Sequence, residues 1–125
     1  MVTKAQLSNI MRLAWQFIKE HNFTKGEALK TAWLNFRLKA ALKIAVVVFA
    51  YRKKDGTTRK AVGTLLYPHS EKPQNESKAS NKVQIYFDLE KQAWRSFNKW
   101  NLLRIEVLTN QNQELWQKIK KKRIL

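Results

Sequence analysis

The sequence predicts an α+β fold in which an N-terminal helical hairpin packs on a small five-stranded antiparallel barrel, followed by a basic C-terminal helix. Apolar residues recur every three or four positions up to residue 43, which is typical of amphipathic helices. Beyond that point apolar residues alternate or form short β-branched runs, which favours strands. The 125 residues suffice for one domain, so we expect segments 1–43, 44–109 and 110–125 to form one compact unit.

Both predicted helices begin at a capping signal. Thr3 followed by Gln6, and Thr24 followed by Glu27, have the spacing of a capping box. The predicted apolar faces comprise Leu7, Ile10, Met11, Ala14, Phe17 and Ile18 in the first helix, and Leu29, Ala32, Trp33, Phe36 and Ala40 in the second. Tryptophans in such patterns usually belong to the core, so we expect Trp15 and Trp33 to be buried.

The first predicted strand is an apolar run over residues 44–51. It is followed by a turn at Asp55 and Gly56, a dipeptide typical of β-hairpins. A returning strand follows, and residues 68–81 are predicted to be a polar loop. Residues 83–89 alternate between apolar and polar types, which predicts a strand with one buried face. In the last strand, near residues 102–107, we expect Leu103, Ile105 and Val107 to point inward.

Charge is the strongest functional signal. The chain has 25 Lys and Arg against 9 Asp and Glu, a formal net charge of +16. Because such an excess repels itself in the folded state, it favours a partner with many negative charges. We therefore predict a protein that binds RNA or single-stranded nucleic acid and has no catalytic activity.

The predicted binding residues are cations that would neutralise phosphates, together with aromatic rings on which bases could stack. The cations are Arg52, Lys53, Lys54, Arg59 and Lys60 in the hairpin, Arg12, Lys19, Lys30 and Arg37 on the helices, and Lys118, Lys120, Lys121, Lys122 and Arg123 in the tail. The stacking candidates are Tyr51, Tyr67, Tyr86 and Trp100.

The inventory of reactive side chains favours neither an enzyme nor a metalloprotein. The chain has no cysteine, and His21 and His69 lack metal-ligand spacing. Asp88 and Glu90 would face the same way on one strand, an arrangement suited to holding a cation or to acid–base catalysis, but a solvated pairing with Lys or Arg explains them equally well. We therefore predict no catalytic residues, no metal and no cofactor.

No targeting or membrane signal is visible in the sequence. Residues 1–8 lack the apolar segment of a signal peptide, and the longest apolar stretch is far shorter than the ~20 residues that span a bilayer. We expect a cytoplasmic protein with no membrane partner, in a bacterium or in the host cell of a phage.

Three segments carry a family resemblance: YRKKDGTTR at 51–59, YFDLE at 86–90 and AWRSF at 93–97. Across residues 44–108 the chain resembles the WYL-like family of Sm-like, SH3-type β-barrels found in Bacteroidetes and their phages and mobile elements. The resemblance implies an SH3-like barrel, a fold that often binds nucleic acid. It also motivates an alternative function, a phage or mobile-element inhibitor of a defence ribonucleoprotein, of the anti-CRISPR type, that contacts guide RNA and nuclease together.

Overall fold

The computed structural model describes residues 2–66 and 82–106. Two helices, α1 (Lys4–His21) and α2 (Lys25–Ile44), precede five strands and a short 3-10 helix (Lys99–Asn101). The strands are β1 (Val47–Arg52), β2 (Thr58–Thr64), β3 (Val83–Asp88), β4 (Ala93–Asn98) and β5 (Leu102–Ile105). The predicted helical pair and five-stranded sheet are confirmed, whereas the helix predicted over residues 110–125 lies outside the described residues.

The five strands form one antiparallel sheet in the order β4-β3-β2-β1-β5, and this sheet is strongly bent. The rings of Tyr51 on β1 and Phe97 on β4 stack with their centroids 4.8 Å apart, although β1 and β4 are three strand spacings apart. In a flat sheet three spacings would separate them by roughly 14 Å. The sheet therefore curls around a shared interior, as an SH3-like barrel requires.

The helical pair is held by large apolar side chains and alanines of α1 that pack on alanines of α2. Ile10, Ala14 and Phe17 of α1 pack against Ala28 and Ala32 of α2. The predicted caps form, since Thr3 and Gln6 make a reciprocal capping box and the Thr24 side chain accepts a hydrogen bond from the Glu27 amide. Asn22 ends α1 in the left-handed conformation.

Part of the predicted apolar face of α1 is exposed. Leu7, Met11 and Trp15 are 44%, 40% and 52% exposed, so the prediction that Trp15 belongs to the core is wrong. The apolar arc of α1 is wider than the line of contact with α2, and only the part centred on Ile10, Ala14 and Phe17 is covered. Trp33, on α2, does pack against this cluster and is half-buried.

One face of α2 closes the barrel. Leu38 and Leu42 are fully buried in the cluster formed by the inward side chains of the strands, and the buried Asn35 donates hydrogen bonds to the carbonyls of Thr31 and Lys99. Within residues 2–66 and 82–106, no helix is long and apolar enough to cross a membrane.

The strand β3 is buried on both faces, which corrects the expectation of one polar face. Its inward residue Tyr86 belongs to the barrel interior, while Phe87 belongs to a second buried cluster with Val48 and Val62. Gln84 and Asp88, expected on a solvated face, are 7% and 0% exposed. The alternating pattern predicted the strand, but it did not predict that a second cluster of side chains buries the other face of the strand.

The side chains of β5 follow the predicted phase only in part. Ile105 packs against the barrel core as predicted, and Val107 lies outside the described residues. Leu102 is buried and pairs with Tyr51, whereas Leu103 is 39% exposed. The register between β1 and β5 shifts between Ala50 and Tyr51. A shift of this kind inserts one residue into a strand and reverses its alternation, so Leu103 points outward, contrary to the prediction.

Candidate nucleic-acid interface

The loop between β1 and β2 has a well-defined turn. The Lys53 amide donates to the Thr57 carbonyl at 2.7 Å, and the Gly56 amide donates to the Lys53 carbonyl at 3.0 Å. Gly56 has a φ of 91°, which an L side chain rarely adopts. The side chain of Thr57, and then its amide, donate to the Asp55 carboxylate and lower the pKa of Asp55. These contacts order the turn that carries Lys53 and Lys54.

Three cations lie on one outer face where β1, β2 and β5 are adjacent. Ala50 pairs with Lys60 on one side and with Arg104 on the other, which puts these two side chains on the same face. Arg52 lies two residues from Ala50 and so shares that face. With the two turn lysines, we name this group the hairpin patch: Arg52, Lys53, Lys54, Lys60 and Arg104, all exposed.

The hairpin patch differs from the predicted hairpin set by one gain, Arg104, and one loss, Arg59. Arg104 was not singled out in the sequence, because its place depends on the register of β5 against β1. Nothing local to residue 104 carries that information. Lys60 belongs to the predicted set and makes an ion pair with Glu106 at 3.0 Å, with the lysine side chain 59% exposed. Exposed pairs of this kind contribute about 0–1 kcal/mol, so Lys60 remains available to a stronger anionic partner.

Arg59 is not part of the outer surface. It pairs with the inward Tyr51 and shares its face, and its guanidinium contacts the carboxylate of Asp88, with the two side chains 17% and 0% exposed. Burial opposes its charge, but the hydrogen bonds and charge interactions with Asp88 and Tyr86 together outweigh burial and raise the pKa of Arg59 above its ordinary value. The expectation that Arg59 contacts phosphate is therefore corrected, because its charge is already neutralised inside the fold.

Tyr51 and Tyr86 are core residues and present no ring face to a base. They are 5% and 0% exposed, and their hydroxyl oxygens are 2.8 Å apart. Burial, and then the hydrogen bond with Tyr51, raise the pKa of Tyr86 well above its ordinary value, so its hydroxyl stays protonated. Contrary to the prediction, neither tyrosine is accessible for stacking on a base, since both rings are enclosed by the curled sheet.

The other two stacking candidates have different outcomes. Trp100 is half-buried, and its ring stacks on His21 of α1 with centroids 3.9 Å apart. That contact occupies one face of the indole and joins the helical pair to the barrel. Tyr67 lies outside the described residues.

The comparison with protein families matches the curled sheet and the end of α2. Residues 35–103 match the family described as WYL_2, Sm-like SH3 beta-barrel fold. The chain belongs to the WYL_2 family. The WYL_2 match begins at Asn35, so it includes the end of α2, which the sequence resemblance had left outside. No curated protein and no solved structure is significantly similar to the chain.

The predicted helical cations lie partly outside the WYL_2 segment. Arg12, Lys19 and Lys30 precede it, whereas Arg37 falls within it, and all four side chains are exposed. They occupy the helices and not the strands that carry the hairpin patch. The predicted tail cations Lys118, Lys120, Lys121, Lys122 and Arg123 lie outside the described residues.

A further pair of cations lies at the junction of α2 and the WYL_2 barrel. Burial, followed by the charge of Lys39, lowers the pKa of Lys99. Lys99 is half-buried at the start of the 3-10 helix, while Lys39 is exposed on α2. Two like charges are thus held close together, and within residues 2–66 and 82–106 neither lysine makes an ion pair with a carboxylate. An anion placed between them would relieve this repulsion.

The proposed acid–base pair is separated by the fold. Asp88 is fully buried against Arg59, and its other oxygen accepts hydrogen bonds from the amides of Glu90 and Lys91. Glu90 lies in the following turn and is exposed. The two carboxylates therefore have different surroundings, and Asp88 has a structural role. Over residues 2–66 and 82–106, no three His, Asp or Glu side chains cluster as a metal site would require.

Proposed function

We propose that this protein binds RNA or other single-stranded nucleic acid through the hairpin patch. The observation that carries the proposal is the placement of Arg52, Lys60 and Arg104 on one face of three adjacent strands, beside the two turn lysines. Strands about 4.8 Å apart hold these charges close together, and a chain of phosphates would relieve their repulsion.

The chemistry of the patch fits the sugar–phosphate backbone better than the bases. Arg52 and Arg104 offer planar guanidinium groups that bind phosphate in a bidentate manner, and the turn lysines add point charges. The residues that pair with or lie next to these cations are Thr58, Glu106 and the buried Ala50, none of which is aromatic, while the aromatic residues of this face, Phe87 and Trp94, lie farther away on β3 and β4. Because backbone contacts carry little sequence information, we expect affinity that depends strongly on salt and weakly on base sequence.

The test is a salt titration of binding to fluorescently labelled single-stranded RNA, measured by anisotropy for the wild-type protein and for Arg52→Ala/Lys54→Ala/Arg104→Ala. Each phosphate contact on a single strand contributes about 0.7 to the log–log salt slope. The triple variant should therefore bind more weakly, and its slope should be smaller by roughly 2. Single-stranded DNA and duplexes, titrated in parallel, report which nucleic acid is preferred.

A matched control separates the patch from the overall charge. Lys4→Ala/Lys25→Ala/Lys43→Ala removes three exposed cations from the helices and leaves the hairpin patch intact. The control should retain most of the affinity and most of the slope. Equal losses in the two triple variants would show that net charge alone drives binding, and the proposal for the hairpin patch would then be wrong.

Free RNA and RNA held in a ribonucleoprotein offer the same phosphates to the patch. Pull-downs with and without ribonuclease distinguish the two sources. Recovery of RNA alone supports free RNA as the partner. Recovery of one protein–RNA complex, lost in the hairpin triple variant, supports the inhibitor function that the sequence resemblance motivated.

A further inference from the structure

The exposed face of α1 carries a continuous apolar stripe. Leu7, Met11 and Trp15 recur at every fourth position and so lie side by side along the helix, with exposed fractions of 44%, 40% and 52%. The packing against α2 uses a neighbouring face, formed by Ile10, Ala14 and Phe17. The stripe is therefore not needed to hold the helical pair together.

The composition of this stripe is typical of a protein interface. Isolated exposed apolar residues are normal on a protein surface, but here three large side chains are contiguous. Tryptophan and methionine are both enriched at the centre of protein–protein interfaces. Methionine also adapts its shape to an incoming surface.

Cations border the stripe. Arg12 follows Met11 directly, and Lys19 lies one helical turn after Trp15; both side chains are exposed. Among the described residues neither is in an ion pair, and Glu20, the acidic residue of α1, is instead 3.2 Å from Lys82. The stripe thus combines an apolar centre with a positive border.

We propose that this stripe binds an amphipathic helix of a partner protein, whose apolar face covers Leu7, Met11 and Trp15 and whose flanking acidic residues meet Arg12 and Lys19. Helix-in-groove recognition uses anchors at this spacing. The positive border selects an acidic partner through charge complementarity. This interface lies on α1 and is separate from the hairpin patch on the strands.

Other occupants fit the stripe less well. A second copy of the chain would bring another net charge of +16 to the same face. Nucleic acid could stack on Trp15, but Leu7 and Met11 offer it neither a ring nor a hydrogen bond. A membrane surface would need a broader free apolar face, and Ile10, Ala14 and Phe17 are already buried against α2.

The experiment selects binders to the full chain from a displayed library of amphipathic helical peptides with randomised flanking positions. We expect the enriched peptides to carry Asp and Glu beside their apolar face. Their affinity should fall about 30-fold for Trp15→Ala, as for a hot-spot residue, and several-fold for Arg12→Ala/Lys19→Ala. Ile44→Ala, which truncates another exposed apolar residue at the end of α2, is the matched control and should bind like the wild type.

Several outcomes would overturn the proposal. These are the absence of enriched peptides, enriched peptides without acidic flanks, and equal affinity for Trp15→Ala and Ile44→Ala. Loss of RNA binding in Trp15→Ala would assign the stripe to nucleic acid, and a concentration-dependent dimer abolished by Trp15→Ala would assign it to a second copy. Because Trp15→Ala leaves the hairpin patch intact, the proposal for the stripe and the proposal for the hairpin patch are tested independently.

Discussion

Arg59 reaches from β2 to Asp88 at the end of β3, and its guanidinium donates a hydrogen bond to a carboxylate that is fully buried. The same carboxylate accepts hydrogen bonds from the amides of Glu90 and Lys91 and so shapes the turn into β4. One ion pair therefore links β2, β3 and the following turn. A residue that resembled a phosphate contact in the sequence serves to hold the sheet together.

Asp88→Ala should lower the free energy of unfolding by about 3–5 kcal/mol, because it leaves the Arg59 charge buried without a partner. In the background of Arg59→Met the same substitution should cost less, since no unpaired charge remains. Chemical denaturation of the four proteins in this double-mutant cycle measures the coupling. Additive losses would contradict the pairing of Arg59 with Asp88.

Tyr51→Phe should cost about 1 kcal/mol of stability, because it removes the hydrogen bond between two buried hydroxyl groups. Tyr86→Phe should cost more, since the Tyr86 hydroxyl also interacts with Arg59. RNA affinity should stay unchanged in both variants, because neither ring is exposed. A loss of RNA binding without a loss of stability would restore these tyrosines as stacking residues.

Gly63→Ala should destabilise the barrel by about 1–3 kcal/mol, the usual range for overpacking a core. A methyl group at this position would lie 2.6 Å from Cδ2 of Tyr86 and 3.3 Å from Cε1 of Phe49, two buried rings. Gly26→Ala in the first turn of α2 is the control, since it meets nothing within 4 Å and should be neutral or stabilising. Equal melting temperatures for the two variants would contradict the close packing at Gly63.

Lys99 should make the stability of the protein depend on pH in the alkaline range. Its pKa is lowered in the folded state by burial and by the Lys39 charge, from an ordinary value of 10.5. At pH values between the folded-state pKa and this ordinary pKa, the unfolded chain binds more protons than the folded one. The free energy of unfolding therefore rises with pH through this window. Lys99→Met should weaken this rise, as measured by denaturation at a series of pH values.

The neighbouring lysine provides the control for this pH dependence. Lys39→Met removes the nearby charge but leaves Lys99 half-buried, so it should reduce the rise only in part. If Lys99→Met leaves the pH profile of the wild type unchanged, Lys99 does not titrate differently in the folded and unfolded states.

Local features of the fold were predictable because their contacts are close in sequence. Thr3 with Gln6, Thr24 with Glu27, and the turn at Asp55 and Gly56 each involve residues at most four positions apart. The helical pair and the strands follow from the spacing of apolar residues. The charges of Arg52, Lys53 and Lys54 were also assigned correctly to the surface, because they lie in and beside that turn.

The sequence by itself determined the order of helices and strands, the caps, the hairpin and the large excess of positive charge. The tertiary structure decided which part of each apolar face is covered, so Ile10 is buried while Leu7 is exposed. It also decided the roles of single cations: strand register places Arg104 on the same face as Lys60, and the curled sheet turns Arg59 inward to Asp88. These outcomes depend on contacts between residues far apart in the chain, and a local pattern carries no information about which distant partner a side chain will meet.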